Sequence, residues 1–173
     1  EAWGPLRRDQ AYALSKVHAE EALSLLRPEL DVTILRFFTL FGPGQTGRLI
    51  PGLMEALLRQ RAVSVEGHPH AGDDHQGIRL TPCYVDDAAA MVGTLLVKPG
   101  PAVLNIAGPQ EWTVWEVADR LSRALGVPLT TRPAAPRQQN MVADTTRLRQ
   151  WLQPCWTPTE EALERTAREY LIR

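Results

Sequence analysis

Val32-Thr-Ile-Leu-Arg-Phe-Phe38 is a run of β-branched and aromatic residues with no polar alternation. Such a run predicts a strand covered on both faces, as in a parallel sheet between layers of helices. Arg36 is the one charge inside it. Upstream, from about Arg7 to Arg27, the pattern is helical and stops at Pro28. Downstream, Gly42-Pro-Gly44 breaks the chain, and a helix is expected from near Pro51 to about Arg61.

The same alternation continues. Val63-Ser-Val65 reads as a short strand, and Ile78 to Val85 as an extended segment broken at Pro82. Asp86 is placed to N-cap an alanine-rich helix ending near Lys98. Val103–Ile106 is the next strand. Thr113-Val-Trp-Glu116 is a capping box, and its helix ends before Gly126. Leu129 to Arg132 reads as a strand, and Asp144 opens a short helical piece to Leu152. Thr157-Pro-Thr-Glu160 is a second capping box for a last helix that runs almost to Arg173. Helices alternating with strands make the class α/β.

With 173 residues, 44% of them hydrophobic, the chain can bury one full core, or one and a fraction of a second. A formal net charge of -1, with both signs mixed along the chain, gives no reason to expect a nucleic-acid partner. No apolar run approaches the length of a membrane span. Cys83 and Cys155 read as reduced structural thiols, which points to a cytoplasmic protein. The chain starts at Glu1 inside a loop-like stretch and reads as a piece of something longer.

Tyr12-Ala-Leu-Ser-Lys16 lies in the first helix. Residues four apart on a helix share a face. Stepping 100° per residue, Lys16, Ala19, Leu23 and Leu26 fall in one stripe with Tyr12, which is expected to be the buried face. An ammonium fixed beside a phenol favours the phenolate, so this pairing suits proton transfer at a hydroxyl or carbonyl. A structural tyrosine with a lysine reaching to the rim gives the same pattern.

Gly42-Pro-Gly-Gln-Thr-Gly47 spells the glycine spacing of a dinucleotide loop. The expected strand ends too early for it, the expected helix starts too late, and Pro43 removes an amide where amides are wanted. The stretch is therefore read as an ordinary loop. His68, His70, Asp73, Asp74 and His75 have ligand chemistry but also the composition of a solvated loop, so no metal is assigned. Asp86-Asp87 is explained by a helix start. Arg132 and Arg137 stand among prolines and have the chemistry of phosphate ligands. The tryptophans at 112, 115, 151 and 156 read as packing residues.

Several segments in order carry a resemblance. They are Tyr12-x-x-x-Lys16-x-x-x-Glu20, Leu35-Arg-Phe-Phe-Thr-Leu-Phe-Gly-Pro43, Ile50-Pro51, Pro82-Cys-Tyr-Val-Asp-Asp87, Leu104-Asn-Ile-Ala-Gly108 and Ala143-Asp-Thr145. Together they resemble the C-terminal half of an extended short-chain dehydrogenase/reductase, within it the NAD-dependent epimerase/dehydratase family. The resemblance implies the C-terminal part of a Rossmann domain, a doubly wound parallel sheet, over 1–46 with returns near 78–108. It implies a small mixed α/β substrate domain over most of 47–173.

The resemblance also implies roles. Tyr12 is the acid/base; Lys16 holds the nicotinamide ribose and makes the tyrosine more acidic; Phe38 lies at the cofactor. Thr39 stands where the family has a substrate-binding asparagine, and Phe41 where it has a tyrosine. Leu49 matches a position lining the nucleotide pocket. Arg79 is the counterpart of a phosphate ligand, although it precedes Tyr84 by five residues instead of four and is followed by Leu80. The family's late arginine is matched by Arg132 or Arg137, with Arg137 preferred. The implied cofactor is NAD or NADP, and the implied substrate a nucleotide sugar. The glycine turn for the cofactor pyrophosphate and the catalytic Ser/Thr are expected in a missing N-terminal half, without which the chain is expected to be inactive. Val17, Ala22 and Leu25 are placed to serve a homodimer. A reductase of non-sugar carbonyls and an idle binding module are the alternatives.

Overall fold

The computed structural model describes residues 8–66, 77–98, 100–135 and 140–172. Helix α1 (Arg8–Leu25) leads into strand β1 (Ile34–Phe37) and, past Thr39, into β2 (Leu40–Phe41). Helix α2 (Leu49–Leu58) and β3 (Val63–Glu66) follow, then β4 (Arg79–Leu80), β5 (Cys83–Tyr84) and α3 (Val85–Val97). The second half comprises β6 (Val103–Ile106), β7 (Trp112–Thr113), α4 (Val114–Leu125), β8 (Thr131–Ala134), α5 (Thr146–Leu152) and α6 (Thr159–Ile172).

Three strand pairs are parallel: β1 with β6, β2 with β5, and β3 with β8. One pair, β4 with β7, is antiparallel. Parallel partners need a long crossover between them, and helices fill these crossovers.

Two hydrophobic clusters result. The larger takes Ile50, Met54 and Leu57 from α2, Val117 and Leu121 from α4, and Leu163 from α6, over Val63, Val65 and Leu80. The smaller joins Cys83, Ala88 and Met91 to Leu104 and Ile106 of β6 and Leu148 of α5. Helix α4 shows how the sequence directs this packing. Its buried residues Val114, Val117, Ala118, Leu121 and Ser122 recur at helical spacing on one face. The expected capping box closes its start: the Thr113 amide donates to Glu116 Oε2 at 2.7 Å, and the Glu116 amide to Thr113 Oγ1 at 3.1 Å. Gly126 ends it at φ 66°, a left-handed turn that favours glycine.

Several expectations need correction. The strand expected to be covered on both faces is not: Ile34 is buried, but Arg36 and Phe37 are exposed. The stripe of Tyr12, Lys16, Ala19, Leu23 and Leu26 is exposed, not buried. Among the described residues β1 has β6 as its one paired neighbour, and α1 touches it through polar links at Glu20 and Arg27, its half-buried residues, so nothing covers the far side of either.

Asp86 is not the N-cap of α3, since Tyr84 holds that place without a side-chain cap bond. Asp86 and Asp87 lie in the first turn, where carboxylates suit the helix dipole. Asp87 is buried and accepts from Thr157, whose amide approaches its oxygens at 3.1 and 3.2 Å and whose hydroxyl lies at 2.7 Å. The Thr157 amide thus goes to Asp87 and not to Glu160, and the second capping box is not made. Gly44 and Gly47 take positive φ, and α2 begins only at Leu49, so 42–47 is a loop and not a cofactor cradle. The histidines and aspartates of 68–75 lie outside the described residues.

Gly108 follows β6 where it crosses the β4–β5 segment, and a Cβ there would overlap the Pro82 carbonyl oxygen. Backbone cannot move aside cheaply, so Gly108→Ala is expected to cost about 3 kcal/mol in urea unfolding. Asp87→Ala strands the Thr157 donors and is expected to cost about 2 kcal/mol by the same measurement.

Candidate active site

The direction of α1 decides where its Tyr12 lies. Arg27 Nη2 donates to the Ala102 carbonyl at 2.6 Å, the same oxygen that accepts from the Ile34 amide at 3.0 Å. That is the amino end of β1. Glu20 meets Arg36 further along the strand, with Arg36 Nε to Glu20 Oε1 at 2.9 Å. The helix therefore runs antiparallel to β1. Tyr12, two turns beyond Glu20 or about 12 Å, lies toward the carboxyl end of the strand. Ligands of open α/β sheets bind at carboxyl ends.

Lys16 Nζ lies 5.3 Å from the centre of the Tyr12 ring, so the two side chains share a face. Tyr12 is 67% exposed. Among the described residues the Lys16 ammonium has no carboxylate partner. Tyr84 offers a contrast. Burial pushes its phenol upward, and Asp86 adds to this, the wrong direction for a base at neutral pH.

At the end of β1 the chain turns at Thr39 with φ 37°. A β-branched residue in the left-handed region is a genuine outlier, and such strain gathers at functional sites. Thr39 and Leu49 line one cavity of about 420 Å³ together with Phe37, Gln45, Arg48 and Met141. A neighbouring cavity of about 590 Å³ shares Arg48 and Leu49 and adds Leu53, Arg61, Ser64 and Arg132. Arg48 meets no carboxylate among the described residues, and Arg132 Nε donates to Ser64 Oγ at 2.9 Å.

The remaining expected residues fall as follows. Phe38 is half-buried, with its amide on the Ile106 carbonyl at 3.0 Å; its neighbour Phe37 lines the cavity. Arg79 donates to Glu111 at 2.8 Å, and its amide donates to Asn140 Oδ1 at 2.9 Å. Its carbonyl accepts from the amide of Met141, a lining residue of the first cavity, at 2.8 Å, but Arg79 does not itself line that cavity. Arg137 lies outside the described residues. No group of three metal-ligating side chains occurs among the described residues. Sequence reasoning missed Gln45, Arg48 and Arg61. Arg48, next to Leu49, was within reach of a closer reading; no spacing marks Arg61.

The model of the NAD dependent epimerase/dehydratase family matches residues 1–107. The chain belongs to this family. A UDP-glucose 4-epimerase of Yersinia pestis is 28% identical over 150 residues, covering 76% of this chain and 44% of that protein. An NAD-dependent NDP-hexosamine 5,6-dehydratase of tunicamycin biosynthesis superposes with TM-score 0.78 at 27% identity, over 98% of this chain and 56% of its own. The UDP-glucose 4-epimerase of Thermus thermophilus, solved with NAD, gives TM-score 0.77 at 23% identity, over 96% of this chain and 56% of its own. The chain thus spans about half the length of these family members. Its α/β fold, with three parallel strand pairs among the described residues, is shared with these Rossmann-fold epimerases and dehydratases. Among the described residues no helix is long and apolar enough to cross a membrane.

Cys83 sits in the smaller cluster, next to the buried Asp87. Burial, then the Asp87 charge, push its thiol up to about 12 from an ordinary 9.0. An unfolded thiol ionises near pH 8.5, so this group costs native stability as pH rises from there toward 12. Iodoacetamide at pH 8 is expected to label exposed Cys155 and to spare Cys83 until the protein is unfolded, as read by peptide mass analysis.

Proposed function

We propose that this chain carries the proton-transfer pair and the substrate site of an NAD(P)-dependent nucleotide-sugar epimerase or dehydratase. The observation that carries the reading is the Lys16 ammonium poised over an open Tyr12 ring, on a helix whose direction sends both toward the carboxyl end of β1. Family membership and the nucleotide-sugar names of the relatives support it.

In this reading Tyr12 is the general acid/base. Its phenol oxygen takes the proton of a sugar hydroxyl as the carbon beneath is oxidised, and returns it on reduction. Lys16 favours the phenolate by its charge. The free donors of its ammonium suit the hydroxyl pair of a nicotinamide ribose, so the residues present fit that end of NAD or NADP. The cofactor, when bound, accepts and returns the hydride. Its pyrophosphate belongs to a glycine-rich turn on an N-terminal half ahead of Glu1. The portion 1–46 with 78–108 serves the dinucleotide side, and most of 47–173 the substrate side.

Arg48 lines both cavities, at the start of a helix whose first turn holds no acidic residue. A diphosphate fits there, drawn by the guanidinium and the helix N-terminus together. The sugar then extends toward Thr39, and the nucleoside toward Leu53, Ser64 and Arg132. Leu49 separates the two. Arg79 is proposed to add charge from the adjoining strand, and Arg137 keeps the phosphate-ligand role that the family resemblance gives it.

In the polypeptide joining this chain to its dinucleotide-binding half, Tyr12→Phe is expected to lower kcat about 1,000-fold while UDP-sugar affinity stays within twofold. Stopped-flow absorbance of the reduced cofactor and calorimetric titration provide the two readouts. Activity kept in Tyr12→Phe would overturn the assignment. Sugar-nucleotide binding without hydride transfer in the unsubstituted protein would make the chain a binding module.

A further inference from the structure

Tyr12, Lys16 and Glu20 follow one another at intervals of four residues on α1. Stepping 100° per residue from Tyr12, Lys16 falls at about 40° and Glu20 at about 80°, so the three share one side of the helix. Lys16 therefore has two neighbours, the Tyr12 ring one turn back and the Glu20 carboxylate one turn on. Opposite charges four residues apart on a helix attract each other. An ammonium paired with a carboxylate favours a nearby phenolate less, because the two charges offset each other.

The side chains divide these contacts in one way. Lys16 Nζ lies over the Tyr12 ring, 5.3 Å from its centre. Glu20 meets β1, where Arg36 takes both of its oxygens: Nε donates to Oε1 at 2.9 Å, and Nη2 donates to Oε2. This two-point grip fixes the plane of the carboxylate as well as its place. It also holds the Glu20 carboxyl below the usual carboxylate range, so Glu20 is charged wherever a phenol titrates. Among the described residues Arg36 is the charged group that β1 brings here. On α1 itself Arg27 is spent on the Ala102 carbonyl at 2.6 Å, and His18 and Glu21 fall on the opposite side. Arg8 and Asp9, in the first turn, are the same in every variant compared below.

We propose that Arg36 is a positioning residue for the proton-transfer pair: by gripping the Glu20 carboxylate it keeps the Lys16 ammonium for Tyr12. This rests on Tyr12 and Lys16 being the pair assigned above. Glu20 stands two turns from Tyr12, about 12 Å, beyond the screening length of about 10 Å in ordinary salt. Arg36 thus acts on the phenol through Lys16 and not across space.

The test is a carbon-13 NMR titration of the Tyr12 phenol in the polypeptide joining this chain to its dinucleotide-binding half, without cofactor, with Tyr12→Phe to assign the signal. Arg36→Met is expected to raise the Tyr12 pKa by about half a pH unit, and adding Glu20→Gln to bring it back. In a Lys16→Met background Arg36→Met is expected to add nothing. Glu20→Gln alone is expected to leave the phenol within about 0.2 pH unit, since its carboxylate is already held away from Lys16. That variant decides the matter if Arg36→Met fails to fold. The acid limb of the kcat/KM profile is expected to move with the phenol. A phenol unmoved by Arg36→Met, a rise that Glu20→Gln does not reverse or that survives Lys16→Met, or a fall of about half a pH unit in Glu20→Gln alone overturns the role of Arg36 and leaves the pair standing. A Tyr12 pKa that Lys16→Met fails to raise overturns the pair itself and the role with it.

Discussion

Parallel pairing is the constraint that shapes this molecule. Parallel neighbours point their carboxyl ends the same way, and each return must cross the sheet outside it. In β1 and β6 the partners run from Ile34 opposite Val103 to Phe37 opposite Ile106. The loops that leave such ends are free to vary while the strands hold them in place. Thr39 and Gln45 both sit on the segment that leaves β1. The helix before β1 has to run the other way, so its early residues return to the same edge. Glu20 and Arg36 set that register. As an exposed ion pair it adds little stability. Its effect on geometry is larger, since it fixes where α1 lies along β1 and hence where the Tyr12–Lys16 face points. The hydrogen bond from Arg36 holds the Glu20 carboxyl below the usual carboxylate range, so the link persists through mild acid.

The two hydrophobic clusters give the candidate site a wall on each side. Phe37 and Thr39 continue from the strand packed over Leu104 and Ile106. Leu49 and Arg48 open the helix that contributes Ile50, Met54 and Leu57 to the larger cluster. A ligand in the shared cavities therefore touches residues anchored in both. The crossing of Asp87 to Thr157 stitches the clusters together, tying the start of α3 to the approach of α6. Gly108 matters for the same reason, because the smaller cluster and the β4–β5 segment come together there with no room for a side chain.

Much of this architecture could be read from the sequence, for local reasons. The Thr113–Glu116 box and the Gly126 stop depend on neighbours within a few residues, and each appears where expected. The position of Tyr12 and Lys16 on one face is equally local. What the sequence hid was set by distant partners. Whether the α1 stripe is covered depends on what packs against the helix, and among the described residues its links to the sheet are the polar ones to Arg36 and Ala102. The inward turn of Asp87 depends on Thr157, and a carboxylate at a helix start carries no mark of whether it faces water or protein. Gln45 and Arg61 join the site only through folding of a loop and a helix end around a common space. Thr39 was placed by resemblance, and its backbone strain was invisible to composition.

The pairing order has a consequence for biosynthesis. β1, β2 and β3 are each made well before the strand they pair with: Ile34 pairs with Val103, Leu40 with Cys83, Val63 with Thr131. On a ribosome adding about ten residues per second, the early strands wait several seconds with bare hydrogen-bonding edges. An edge in that state will accept any passing chain. Holding chaperones and translation speed act on that interval, before the finished sheet exists.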